Sequence, residues 1–192
     1  MSAYSLEARR AKPNGWWGMA VFVATEATLF GTIFGTYFYL EFRAPHWPPP
    51  GIEPPAVAVP LILAGVLVAT TLPMWTAARA ATAGRAAAAR RAIALALVVQ
   101  AGYFAMQMQL FQDDLAKFAP SSGAYGSIYY VLLGAHHAHV GVGLLLDVWL
   151  LAKLARGLTR YRVTAVRAAT FYWTFVNVLA LLVVGAQLSP NV

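Results

Sequence analysis

The sequence predicts an all-α integral membrane bundle of five transmembrane helices, N-terminus cytoplasmic and C-terminus outside. Three observations predict it. Hydrophobic residues make up 60% of the 192 positions and charged residues only 11%, against roughly 25% charged usage in soluble domains. Apolar runs long enough to cross about 30 Å of hydrocarbon, which takes about 20 helical residues, occur five times. The basic residues flank these runs instead of gathering on one folded surface, as a nucleic-acid-binding face would require.

The first span covers about 16–40, opens on Trp16 and Trp17, and is too long for a signal-peptide core. It carries Glu26 and the spacing Gly31-x-x-x-Gly35, which predicts close helix packing. The stretch HWPPPGIEPP, residues 46–55, follows as a stiff turn whose prolines restrict the backbone. The second span covers about 56–78, with Trp75 near its end. The linker AARAATAGRAAAARRA, residues 77–92, is rich in Ala with recurring Arg, so it extends the helices it joins and rests basic side chains on anionic headgroups. The third, fourth and fifth spans cover about 92–111, 126–152 and 168–188, with Gly141 and Gly143 again allowing close approach in the fourth. The expected organisation is thus a cytoplasmic segment 1–15, one membrane domain 16–188 and an external tail 189–192.

Twelve of the 14 Lys and Arg residues fall in the N-terminal segment and the second and fourth linkers. The opposite side keeps only Arg43 and Lys117, with Glu41, Glu53, Asp113 and Asp114. An excess of basic residues marks cytoplasmic loops, and this distribution sets the orientation stated above. With no cysteine in the chain, disulfides, thiolate metal sites and iron-sulfur clusters are excluded.

An ionisable residue inside a span costs at least about 2.5 to 3.5 kcal/mol on insertion scales, so each calls for a partner or a function. Glu26, His139 and Asn177 sit about ten, thirteen and nine residues into their spans, which puts all three near mid-membrane. Glu26 and His139 are expected to form a buried polar pair, either as a bond between packed helices or as a group that carries or tunes a proton. Asp147 lies nearer the cytoplasmic end, where Lys153 or Arg156 comes within reach for an ion pair. His136 and His139, three residues apart, share one side of their helix while His137 points elsewhere. At most two of them face one metal and no third ligand is at hand, so no metal site and no haem is expected on this chain, and the histidines read as a helix-packing face. An independent small transporter is an alternative motivated by the same mid-membrane residues; it requires an inverted repeat or broken helices around a cavity, and the sequence suggests neither.

Several motifs recur together and in order: WWGMAVFVATEATLFGTIFGTYFYLEFR, HWPPPGI, YFAMQ, GAYGSIYYVLLGAHHAHVGVG and FYWTFVNV. In that order they resemble subunit III of the haem-copper terminal oxidases, over about Trp16 to Leu182. The five-span length is similar to short bacterial forms. The resemblance implies a non-catalytic subunit of a proton-translocating cytochrome c oxidase in the bacterial cytoplasmic (inner) membrane. It implies packing on catalytic subunit I, with subunit II in the complex, and haem and copper in those partners rather than on this chain. It further implies a structural phospholipid in a cleft and support of proton uptake during electron transfer to O2. Glu26 matches the family's buried glutamate, His136 and His139 its two spaced histidines, and Trp173 its tryptophan. Secondary polar positions are His136, Asn177 and Asp147; Trp17, Arg156 and Trp173 are the residues expected at lipid. The chain departs from the family where Thr174 replaces a usual His, Asn177 a usual Asp and Ala180 a frequent Trp. That neutral site leaves room for an accessory protein of a nitric oxide reductase or a quinol oxidase.

Overall fold

The computed structural model describes residues 13–54, 56 and 58–189, all of whose regular structure is helical. The helices are α1 (Asn14–Arg43), α2 (Ala58–Ala69), α3 (Thr71–Thr82), α4 (Ala86–Lys117), α5 (Ala124–Leu154) and α6 (Arg160–Leu188). With α2 and α3 running on as Ala58–Thr82, they give five helices long and apolar enough to cross a membrane. Of the expected segments 1–15 and 189–192, residues 1–12 and 190–192 lie outside the described residues.

The broken second span is a departure from the sequence reading, which found no interrupted helix. Pro73 is the cause: it offers no N–H to the carbonyl of Ala69, and its ring crowds that carbonyl. The chain tightens there, with the Thr70 amide bonding Leu67 O at 3.0 Å and the Thr70 hydroxyl bonding the same carbonyl at 2.6 Å. Thr70 itself is buried. The Ala-rich linker does extend its helices, leaving only Ala83 to Arg85 between them. There the Arg85 amide bonds Ala80 O at 2.9 Å and the Gly84 amide bonds Ala81 O at 3.1 Å, a helix end that needs φ of +75° at Gly84. The turn just past α5 is closed by a side chain: Arg162 donates to Arg156 O at 2.7 Å and Gly157 O at 2.9 Å.

Helix α6 packs against α1, α2, α3 and α5, while α4 packs between α5 and the α2–α3 pair. The bundle is therefore a ring, α1–α5–α4–α2/α3–α6, drawn together by the α5–α6 contact across it. Its core cluster centres on Trp173, Tyr172, Met74, Ile93, Leu150 and Leu154. Within its most apolar window α6 is 61% buried and α1 only 11%, so α6 is the axle of the fold and α1 its most open wall. The Gly31 and Gly35 spacing faces outward on that wall, with nothing within 4 Å of a Cβ added at either. Close packing there within the chain, as the sequence suggested, does not occur. Gly143 by contrast lies against the Trp173 ring, where an added Cβ would meet Cζ2 at 2.5 Å.

Candidate functional site

Helix α5 carries the three histidines, and the helical repeat sends them to different neighbours instead of to one packing face. His139 turns to α1. Its Nε2 lies 3.0 Å from Glu26 Oε2 and its Nδ1 lies 2.7 Å from the Ala135 carbonyl. A carbonyl oxygen only accepts, so Nδ1 carries a proton. The second contact then needs one more proton, held either by Glu26 Oε2 or by His139 Nε2, since a bare imidazole nitrogen and a carboxylate would repel. The two residues thus hold one proton between them and are neutral as a pair, which is the form that hydrocarbon tolerates. Phe30 lies edge-on to the imidazole at 5.2 Å, and Tyr172 donates to the His139 carbonyl at 2.7 Å, fixing this turn of α5 against α6.

Because the pair joins two helices, its loss is expected to be felt modestly in stability. Glu26→Leu and His139→Leu should each cost about 0.6 to 1.7 kcal/mol, and the double substitution no more than the larger single. Thermal unfolding in a fixed detergent measures this; additive losses would mean that the two side chains act independently.

His136 turns instead to α4. Tyr103 accepts from Gln107 Nε2 at 3.1 Å, and its hydroxyl lies 3.1 Å from His136 Nε2. With the Tyr103 proton donated to Nε2, the ring proton of His136 sits on Nδ1, which has no hydrogen-bond partner among the described residues. His137 packs among Phe104 and Phe111, and its Nδ1 is likewise without a partner. Tyr103 and Gln107 are the ends of the YFAMQ motif quoted from the sequence, which assigned them no role, though a tyrosine and a glutamine one turn apart on an apolar helix were a visible signal.

Asp147 is fully buried, and among the described residues it makes no ion pair. The expectation that Lys153 or Arg156 would reach it fails because the helix turns Asp147 inward while Lys153 lies over the Trp149 ring at 5.7 Å and Arg156 is exposed. Its partner is Gln100 on α4. Oriented so that its amide donates to Asp147 Oδ2 at 2.9 Å and Ala96 O at 3.1 Å, Gln100 places its oxygen 3.2 Å from the Thr70 hydroxyl, whose one proton is shared between that oxygen and the nearer Leu67 carbonyl. The tightened turn before Pro73 thus supplies one end of a polar cluster tying α2–α3, α4 and α5 together.

Asn177, expected at the depth of Glu26 and His139, joins neither; it donates to Thr71 Oγ1 at 2.8 Å and so ties α6 to α3. Trp173 is fully buried, its ring seated on Gly143, and cannot meet lipid as the sequence suggested. Trp17 and Arg156 are exposed. An apolar cavity of about 610 Å3 lies beside Met19, Leu146, Trp149, Leu150 and Tyr161, with Arg160 in its lining. Among the described residues no three His, Asp or Glu side chains gather as a metal would need.

Residues 10–185 match the sequence family described as cytochrome c oxidase subunit III. Relatives named cytochrome c oxidase subunit 3 include that of Struthio camelus, 30% identical over 170 residues, and that of Sus scrofa, 32% identical over 171 residues. The protein of Locusta migratoria is 27% identical over 173 residues. Each alignment covers 85% of this chain and 64% of the relative, so the chain spans less than two thirds of the length of the proteins it matches.

Proposed function

The chain belongs to the cytochrome c oxidase subunit III family, and on that premise we propose that it is a non-catalytic subunit packed on the catalytic subunit of a respiratory oxygen reductase in a bacterial cytoplasmic membrane. Haem and copper belong to the partner chains in this reading. The observation that carries it is how the buried polar side chains are used. Glu26 with His139, Tyr103 with His136, Gln100 with Asp147 and Asn177 with Thr71 each bind one helix to another. Such a set uses the polar side chains within the spans to build a scaffold of helices. The one-proton pair Glu26 and His139 supports a part in proton uptake by the complex. The cavity beside Arg160 suits an acyl chain along Met19 and Leu150 and a phosphate at the guanidinium.

Purification through a tag on this chain in mild detergent tests the reading, followed by visible spectra and mass spectrometry of the co-eluting chains. Haem-a absorption with a large catalytic subunit is the expected result. A nitric oxide reductase partner would replace it with the accessory role that the neutral Thr174 and Asn177 allow. A solitary, haem-free protein would overturn it in favour of a transporter. In the same preparation, Arg160→Ala is expected to lower the co-purified phospholipid per chain.

A further inference from the structure

A narrow cavity of about 130 Å3 runs beside the α4–α5 seam from Asp113, Asp114 and Lys117 to His136 and His137. Its polar lining follows the helical repeat on α4, where Tyr103, Gln107 and Asp114 recur at intervals that keep them on one side. Gln187 of α6 adds a polar group to the opposite wall. At the mouth Asp114 is held by Lys117 at 3.1 Å and by the Tyr129 hydroxyl at 2.7 Å. At the inner end stand the two imidazoles whose Nδ1 atoms have no partner among the described residues. His136 is only 2% exposed and His137 5%. A buried imidazole N–H left unpaired among apolar helices costs several kcal/mol in a setting where no lipid group bonds it. The volume equals that of about four molecules of liquid water, and the walls offer each more than the two polar partners that hold a buried water in place.

We propose that this cavity is a water-filled inlet, open at the Asp113–Lys117 end of α4, that hydrates His136 and His137 at the centre of α5. Water in it lies against the polar side chains that line it, the rings of His136 and His137 among them. It also connects the Gln107–Tyr103–His136 chain to the solution on one face of the membrane, the outer face by the distribution of basic residues. The inlet is a property of this chain and does not depend on which complex the chain joins. The Glu26–His139 pair lies on the α1 side of α5 and stays outside it.

The absence of cysteine from the sequence makes the inlet directly testable. Single substitutions Gln107→Cys and Leu133→Cys place a thiol on its wall, Asp113→Cys one at its mouth, and Val131→Cys and Leu182→Cys ones on half-exposed outward faces of α5 and α6. The full chain in oriented membrane vesicles is exposed to silver ion from one side and then the other, and the remaining thiol is counted with a fluorescent maleimide after solubilisation. Silver ion is about the size of a water molecule and reacts with the thiolate, which needs water to form. The wall thiols are expected to react within about tenfold of Asp113→Cys from the face bearing that residue, and the outward-facing ones about a hundredfold more slowly. Wall thiols as unreactive as the outward-facing ones, or reactive only from the opposite face, would overturn the proposal. Should Leu133→Cys fail to fold, Val183→Cys on the α6 wall replaces it. Deuterium exchange of the histidine ring N–H in the unmodified protein supplies a second reading: exchange as slow as mid-helix backbone amides also overturns it.

Discussion

Trp173→Ala is expected to lower the stability of the folded chain by about 3 kcal/mol, the low end of the range of about 3 to 5 for emptying an aromatic site in a soluble core. The low end applies because the ring, once released, meets lipid instead of water, so the cavity and the lost contacts supply the cost rather than hydrophobic transfer. The complementary change is Gly143→Ala. Its Cβ would stand 2.5 Å from Cζ2 and 2.9 Å from Cε2 and Cη2 of a ring that is itself fully buried. The ring has no free volume to retreat into, and overpacking of this kind costs about 1 to 3 kcal/mol. Two residues away, Gly141→Ala meets only Phe104 Cζ at 4.0 Å, and there the better helix propensity of Ala should leave stability unchanged or raised by up to about 1 kcal/mol. Trp173→Phe on the Gly143→Ala background should recover part of the loss, because the smaller ring vacates the space the methyl enters. Thermal unfolding in a single detergent, followed by size-exclusion of the fluorescently tagged protein, ranks all four. If Gly143→Ala matched Gly141→Ala, the α5–α6 contact would not depend on this close approach.

That pair of glycines also shows where the sequence was legible and where it was not. Length and hydropathy locate five spans within a few residues at most ends because each is a continuous apolar run; the largest extension is α6, which begins at Arg160 where the apolar run begins near 168. Those added turns are polar and lie outside the hydrophobic signal. Glycine spacing marks places where helices can approach, but not which helix comes. Gly31 and Gly35 face outward and Gly143 holds an indole, and only the ring order of the bundle separates the two cases. Spacing at 1.5 Å per residue put Glu26, His139 and Asn177 at one expected level, and the first two do meet. It did not give the azimuth, so Asn177 is found on Thr71 and His136 on Tyr103. Pro73 was visible throughout; its consequence, a turn that frees Thr70 to bond Gln100, depends on α4 lying alongside.

Asp147 was read from the sequence as one half of an ion pair, and the buried cluster it joins instead leads to the second large effect. Gln100→Leu is expected to cost about 1 to 3 kcal/mol, because it leaves Asp147 Oδ2 without its donor in a site closed to water and lipid headgroups alike. Asp147→Leu should cost less, since Gln100 keeps its bonds to the Ala96 carbonyl and the Thr70 hydroxyl. The double substitution should return close to the original stability, because replacing both partners by apolar groups of similar size removes the unpaired group along with the bond. Asp147→Asn should also stay near it, since an amide facing an amide still offers one donor to one acceptor. An ion pair predicts a different pattern: Lys153→Ala or Arg156→Ala would then be as costly as Gln100→Leu. The geometry expects both to stay within about 0.5 kcal/mol of the unmodified chain, as exposed substitutions do. Four unfolding curves, for Gln100→Leu, Asp147→Leu, the double and Lys153→Ala, separate the two arrangements. A double substitution that costs the sum of its singles would mean that Gln100 and Asp147 serve different neighbours, and that the α4–α5 seam is held by packing and by its other bonds, Tyr103 to His136 and Tyr129 to Asp114.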